Sequence, residues 1–320
     1  MNNEVRNAGL KPYQGIIEAI LGILMLIFIA APVQRSLGMT GLALTEIMVL
    51  LLAVISALLL KGDLGVIFSV RIPKLRQIAG TLVIWIGTYI GIMAITLIIG
   101  YIFPESLNST SSAIGTLITS VPPALAFFII AVMPAICEEA LMRGFILSSF
   151  RSFKSRWTIV VLVGIIFGIF HLDFVRFFPT AILGMALAYI MLETENLLLP
   201  MLLHFVNNAF AAFAAFLAGS SGASATATES LNIPLISVGV YLVIASAVPF
   251  TILAGAYLIK DRSKEIENTR KKKSIAVYVA AATTVILLVS GILIVSFSME
   301  DANEFKNTEF HVQYSERSVG

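Results

Sequence analysis

Long apolar runs dominate this chain and leave it few ways to fold. Nine can be marked, at roughly 14–33, 41–60, 78–103, 117–142, 157–173, 177–193, 195–218, 234–259 and 274–297. Each comes close to the ~20 residues that a helix needs to cross a bilayer. Inside lipid the backbone must satisfy its own N–H and C=O groups, which confines such runs to helices. Only 12% of the 320 residues are charged, against about 25% in soluble domains. The expected fold is all-α, a polytopic transmembrane helix bundle of about nine spans. The first run follows Arg6 and Lys11 like a signal peptide, but it is long and contains Glu18, so it reads as a retained helix.

Charges outside the runs orient the bundle. With the N-terminus inside, the cytoplasmic segments hold Arg6 and Lys11, then Lys61, Arg71, Lys74 and Arg76, then Arg151, Lys154 and Arg156. The last holds seven basic residues from Lys260 to Lys273. Together these are sixteen of the 21 lysines and arginines; Arg35, Arg176, Lys306 and Arg317 fall on the other side, and Arg143 lies within a span. This asymmetry predicts the N-terminus inside and the C-terminus outside. Loops 104–116 and 219–232, rich in Ser, Thr, Asn and Gly and free of Lys and Arg, read as outside loops. Asp173 and Arg176 are expected to pair at a short outside turn. Segment 61–77 mixes apolar and basic residues and is expected along the inner surface. The basic loop 260–273 is expected against anionic headgroups, as a topology anchor.

The chain then divides into three N-terminal spans (1–114), a polar-motif core (115–218), two C-terminal spans (219–298) and an extracytoplasmic tail (299–320). A net charge of +2 does not suggest nucleic acid, and the single Cys137 excludes an intramolecular disulfide and a cysteine metal cluster. Gly164-Ile-Ile-Phe-Gly168 has the spacing for close helix packing within the chain.

Three charges interrupt one span: Glu138, Glu139 and Arg143. A charge at the bilayer centre costs about 3 kcal/mol on insertion scales, so each needs a partner or a function. Glu139 and Arg143 are four apart and share a helix face, whereas Glu138 is turned about 100° away. This spacing has the arginine holding Glu139 and leaves Glu138 free to face a cavity. Pro134 just upstream kinks the helix and frees a carbonyl near the carboxylates. His171 ends Phe167-Gly-Ile-Phe-His171, and His204 precedes Asn208 by one turn on the same face. At 1.5 Å per residue, Glu138, His171, His204 and Asn208 fall roughly 14–22 Å from the basic side. They are expected around one wet hollow that opens there. One intramembrane histidine is more often a packing contact than a ligand; two beside a diglutamate point to a site. Glu18 and Glu46 read as packing or pairing groups, and His311 as an exposed tail residue.

Glu138-Glu139-Ala-Leu-Met-Arg143, Phe167-Gly-Ile-Phe-His171 and His204-Phe-Val-Asn-Asn208, in that order on successive helices, resemble the motifs of the CPBP family. These are the CAAX-protease and bacteriocin-processing proteins, also called Abi, and the resemblance covers roughly 115–218. It implies an intramembrane endopeptidase that cuts a peptide or membrane-anchored protein near the cytoplasmic leaflet. By this likeness Glu138 is general base and activates water with His171, while Glu139 and Arg143 order the first motif. His204 and Asn208 stabilise the oxyanion, and Phe167 is a possible pocket wall. Glu138, His171 and His204 are sensible Zn²⁺ ligands; a metal-free glutamate mechanism fits the same residues. The implied partners are the bilayer and a peptide or protein substrate, with no nucleic acid and the oligomeric state open. A bacterial cytoplasmic membrane is the expected location, where prenylated substrates are not expected. A non-catalytic scaffold (a pseudoprotease) and a small-solute transporter are the competing readings, the latter without an inverted repeat or paired broken helices in its favour.

Overall fold

The computed structural model describes residues 8–220, 233–260 and 270–318, and every regular element among them is a helix. Arg6, residues 221–232 of the second outside loop, residues 261–269 of the basic loop and the last two tail residues lie outside the described residues, as does the side chain of His311.

Seven helices are long and apolar enough to cross a membrane, rather than the nine expected spans. The first difference lies in Pro12–Leu59, which runs without a loop through α1 (Pro12–Met25), a π-helical turn at Leu26–Ala30 and α2 (Ala31–Leu59). It nevertheless folds back at Gly38, whose φ of 55° and ψ of −126° suit a residue without a Cβ. Beyond that point Gly41 returns onto Val33 and Gln34, and Gln34 Nε2 donates to Thr45 Oγ1 at 2.9 Å. The boundary expected between residues 33 and 41 is thus a sharp reversal rather than a loop.

Next come α3 (Leu64–Ile67) and α4 (Leu75–Ile102). The first outside loop is a correction: 104–116 belongs to a helix, α5 (Pro104–Thr119). Pro104 occupies the first turn, where its missing N–H costs nothing. The hydroxyls of Thr116 and Thr119 donate back to the carbonyls of Ser112 and Gly115, so a Ser/Thr-rich stretch stays helical.

Pro123–Ser152 carries the first motif. It contains α6 (Pro123–Phe127), α7 (Met133–Glu139) and α8 (Leu147–Ser149), separated by π-helical turns at Phe128–Val132 and Ala140–Ile146. Then follow α9 (Arg156–Phe170), α10 (Phe174–Thr194), α11 (Leu198–Ser220), α12 (Leu235–Ala245), α13 (Val248–Ile259) and α14 (Arg270–Ser318). The helix of α14 continues past Met299, where the tail was expected to begin.

The second difference in span number is α9. Its 15 residues rise roughly 22 Å, short of a ~30 Å hydrocarbon core. It packs along α10 at a glycine crossing: a Cβ on Gly164 would stand 2.9 Å from Ala181 O, and one on Gly184 would stand 3.0 Å from Gly164 Cα. The Gly164–Gly168 spacing therefore serves packing within the chain, as expected. The motif helix runs through the main core, where Leu141, Phe145 and Phe150 meet Phe167, Leu187 and Leu203. Outward faces carry exposed Phe28, Leu59, Trp157 and Tyr278, the surface a bilayer covers.

Segments read as cytoplasmic gather at one end. Ser69 Oγ donates to Glu195 O at 2.9 Å, Leu197 N–H donates to Ser69 O at 2.8 Å, and Asn196 exchanges two bonds with the backbone of Arg71. Arg151 lies 3.7 Å from Glu195 and Arg156 lies 3.2 Å from Glu193. Segment 61–77 is thus tied to the α10–α11 turn, with Asp63 capping α3. At the other end, Thr110 Oγ1 donates to Asp173 Oδ2 at 2.9 Å and Phe103 meets Phe174 edge-on.

Candidate active site

Helical phase puts Glu139 inside and leaves Glu138 at an accessible edge. The Glu139 and Arg143 side chains are both 0% exposed, and Arg143 Nη1 donates to Glu139 Oε1 at 2.8 Å. The same oxygen faces His204 Nδ1, also at 2.8 Å, so the proton on that nitrogen points at the carboxylate. Two donors from two helices thus converge on one buried oxygen. Glu138, by contrast, makes no hydrogen bond among the described residues, and its side chain is 21% exposed. Its Oε2 lies 3.9 Å from His204 Nε2, too far for a direct hydrogen bond.

Phe167 ties the histidines together. Its ring meets His171 edge-on at 5.0 Å and His204 edge-on at 5.7 Å, and the Arg143 guanidinium lies over it at 4.6 Å. At 1% exposure it is a packed hub rather than the wall of an open pocket. The absent side chain of Gly184 lets α10 approach, and Arg143 Nη2 donates to Gly184 O at 2.9 Å. On α9, His171 Nδ1 bonds Phe167 O at 2.9 Å, which places the proton on Nδ1 and leaves Nε2 as an acceptor.

Asn208 has a structural bond that its spacing did not reveal. Its Nδ2 donates to Ile130 O at 3.1 Å. Ile130 stands four residues before Pro134, so its carbonyl is the one that the proline ring leaves without an N–H. Asn208 thereby closes the gap and still holds a second N–H. Glu46, read as a packing or pairing group, is buried on α2 with an Oε2 that has no partner among the described residues. Gly184 and Ile130 were not singled out as site residues; only the proline pointed to one of them.

At the basic end, Ser69 bonds Glu195 and the backbone of Arg71 bonds Asn196. An open basin of about 460 Å³ lies at the opposite end, lined by Glu105, Ser106, Ser109, Thr110, Asp173, Phe174 and Val175. It borders the end of α9 that carries His171, where that short helix leaves room. Asp173 does not pair with the guanidinium of Arg176; its Oδ1 accepts from the Arg176 backbone N–H at 3.0 Å. Among the described residues no three His, Cys, Asp or Glu side chains stand together as a metal-ligand set.

A bundle of apolar helices with a Glu–Arg–His cluster in its interior defines an integral membrane protein with a buried polar site. Residues 120–210 match the family model of the Rce1-like type II CAAX prenyl endopeptidases, in agreement with the CPBP resemblance of the three motifs they contain. Similarity to a family of membrane proteases supports a hydrolase. No curated protein and no solved structure matches the chain.

Proposed function

We propose that this protein is an intramembrane endopeptidase that hydrolyses a peptide bond of a membrane-associated protein or peptide. Glu138 takes a proton from the attacking water, and His171 Nε2 accepts the water's other hydrogen and orients it. Water oxygen bonds to the carbonyl carbon while His204, as an imidazolium that donates from Nε2 as well as from Nδ1 to Glu139, and the second N–H of Asn208 face the developing oxyanion. Collapse breaks the C–N bond, and Glu138 returns its proton to the leaving amine. Glu139 and Arg143 hold His204 in place from behind. The carrying observation is the split between the two glutamates: one is locked by Arg143 and His204, and the other is accessible and unbonded.

Glu138→Gln keeps shape and removes the base. Membrane peptides from cells with wild-type protein should include cleavage products that vanish with Glu138→Gln, while insertion is unchanged. Products that persist in the variant would rule out the mechanism.

The basic loops argue for action near the cytoplasmic leaflet with the N-terminus inside; the basin argues for approach from the opposite end. Zn²⁺ ligation by Glu138, His171 and His204 is a separate proposal, tested by comparing metal content in wild-type and His171→Ala protein. No step above uses it.

A further inference from the structure

A narrow crevice at the basic end holds more positive charge than its own groups satisfy. Gly65, Val66, Ser69, Arg71, Arg151 and Glu195 line it, so the α3–α4 segment, the end of the motif helix and the α10–α11 turn meet there. The Arg151 side chain is only 6% exposed, yet among the described residues no hydrogen bond holds its guanidinium. Its Nε is buried without a partner, and Glu195 Oε1 stands 3.7 Å from Nη1, beyond hydrogen-bond reach. The nearby polar groups are engaged elsewhere: the Ser69 hydroxyl donates to Glu195 O, and the Asn196 amide is taken by the backbone of Arg71. Arg71, exposed at the rim, has no ion pair or hydrogen bond from its own guanidinium among the described residues. Two guanidiniums share one carboxylate. A buried cation with unmade hydrogen bonds is costly until an anion takes them.

The surroundings indicate which anion. Arg71 is followed by Ile72, 97% exposed, and Leu75, 80% exposed. Such apolar side chains are favourable only in the bilayer, which holds the arginine beside them at the level of the headgroups. At the same end the exposed Trp157 stacks on Tyr189 at 5.8 Å, as aromatics do at a membrane–water boundary. The anion abundant at that depth is lipid phosphate. Glu195 can make room for it. Its side chain is 32% exposed, and among the described residues only the long contact to Arg151 holds its carboxylate.

We propose that this crevice binds the phosphate of an anionic phospholipid from the adjoining leaflet. Arg151 donates from within and Arg71 from the rim, while the Glu195 carboxylate turns out to solvent. The phosphate takes the unmade N–H bonds of Arg151 and matches the surplus charge. Arg151 ends the span that carries Glu138 and Glu139, and Glu195 precedes the helix that carries His204, so the lipid ties the ends of both. Binding does not depend on the hydrolytic reading.

The test uses full-length protein, stripped of lipid in a neutral detergent, with phosphatidylglycerol, phosphatidylcholine and inorganic phosphate as probes. Phosphatidylglycerol should be retained in native mass spectrometry and should raise the unfolding midpoint. Phosphatidylcholine, whose choline cancels the phosphate charge, should do neither. Arg71→Gln should weaken phosphatidylglycerol binding by roughly 10–100-fold, the loss expected for hydrogen bonds to a charged group. Arg71→Lys should recover part of it, because the charge returns without the fork of donors. Glu195→Gln removes the competing carboxylate and should bind more tightly than wild type. Arg151→Gln should abolish binding; the Arg71 and Glu195 variants keep the result readable if that protein does not fold. Lys154→Gln, at the same end but outside the crevice, should bind as wild type does. Wild-type affinity in Arg71→Gln, or an equal loss in Lys154→Gln, would overturn the site. A midpoint raised as far by inorganic phosphate as by phosphatidylglycerol would overturn the lipid as its occupant.

Discussion

At the scale of residues, the site is governed by the cost of burying charge. Glu139 and Arg143 are fully enclosed, and breaking such a pair strands one partner. Arg143→Ala should therefore cost about 3–5 kcal/mol, read by denaturant titration of detergent-solubilised protein. The double variant Glu139→Gln/Arg143→Met should be more stable than Arg143→Ala, since no bare carboxylate remains. Equal stabilities would mean that the pair contributes little. Asn208 can be separated into two duties. Asn208→Ala leaves Ile130 O without its donor, which should cost about 1–3 kcal/mol and also lower kcat. Asn208→Asp, which cannot donate, should show the same two losses if the amide N–H groups matter and not merely the side-chain volume.

Between helices, distances are set by glycines. The α9–α10 crossing at Gly164 and Gly184 brings the Gly184 carbonyl to Arg143 and Phe167 to both histidines. Gly184→Val would press against Gly164 and Phe167 and move α10 outward. Activity should fall at least as far as with Arg143→Ala, although no charged residue is changed. Retained activity would show that the Gly184 contact is incidental. Gly38 sits where the Pro12–Leu59 rod reverses, with a positive φ that a Cβ resists. Gly38→Ala should cost about 1–3 kcal/mol, measured as a lower unfolding midpoint with kcat per folded molecule preserved, because Gly38 lies outside the site.

For the whole molecule, the segments rich in Lys and Arg gather at one end and the Thr110–Asp173 basin lies at the other. The positive-inside tendency puts the first end in the cytoplasm. In a Cys137→Ser background, Lys154→Cys should resist a membrane-impermeant thiol reagent in intact cells and Ser106→Cys should react. The reverse pattern would invert the bundle and place the basin in the cytoplasm.

The charged motif was readable because a charge in lipid demands an explanation, and the Glu139–Arg143 pair because four residues make about one helical turn. All-helical architecture followed from hydropathy alone, since apolar spans have no other way to satisfy their backbone. Spacing could not show that His204, 65 residues further on, closes onto Glu139. Nor could it show that the carbonyls of Gly184 and Ile130 serve as acceptors, because a backbone oxygen carries no side-chain signature. Helix α5 was mistaken for a loop because its polar residues look like turn formers, whereas their hydroxyls bond back along the helix. Local chemistry thus determined which residues had to be partnered. Only tertiary packing decided who the partners are, because those depend on helix crossings that no single stretch of chain encodes.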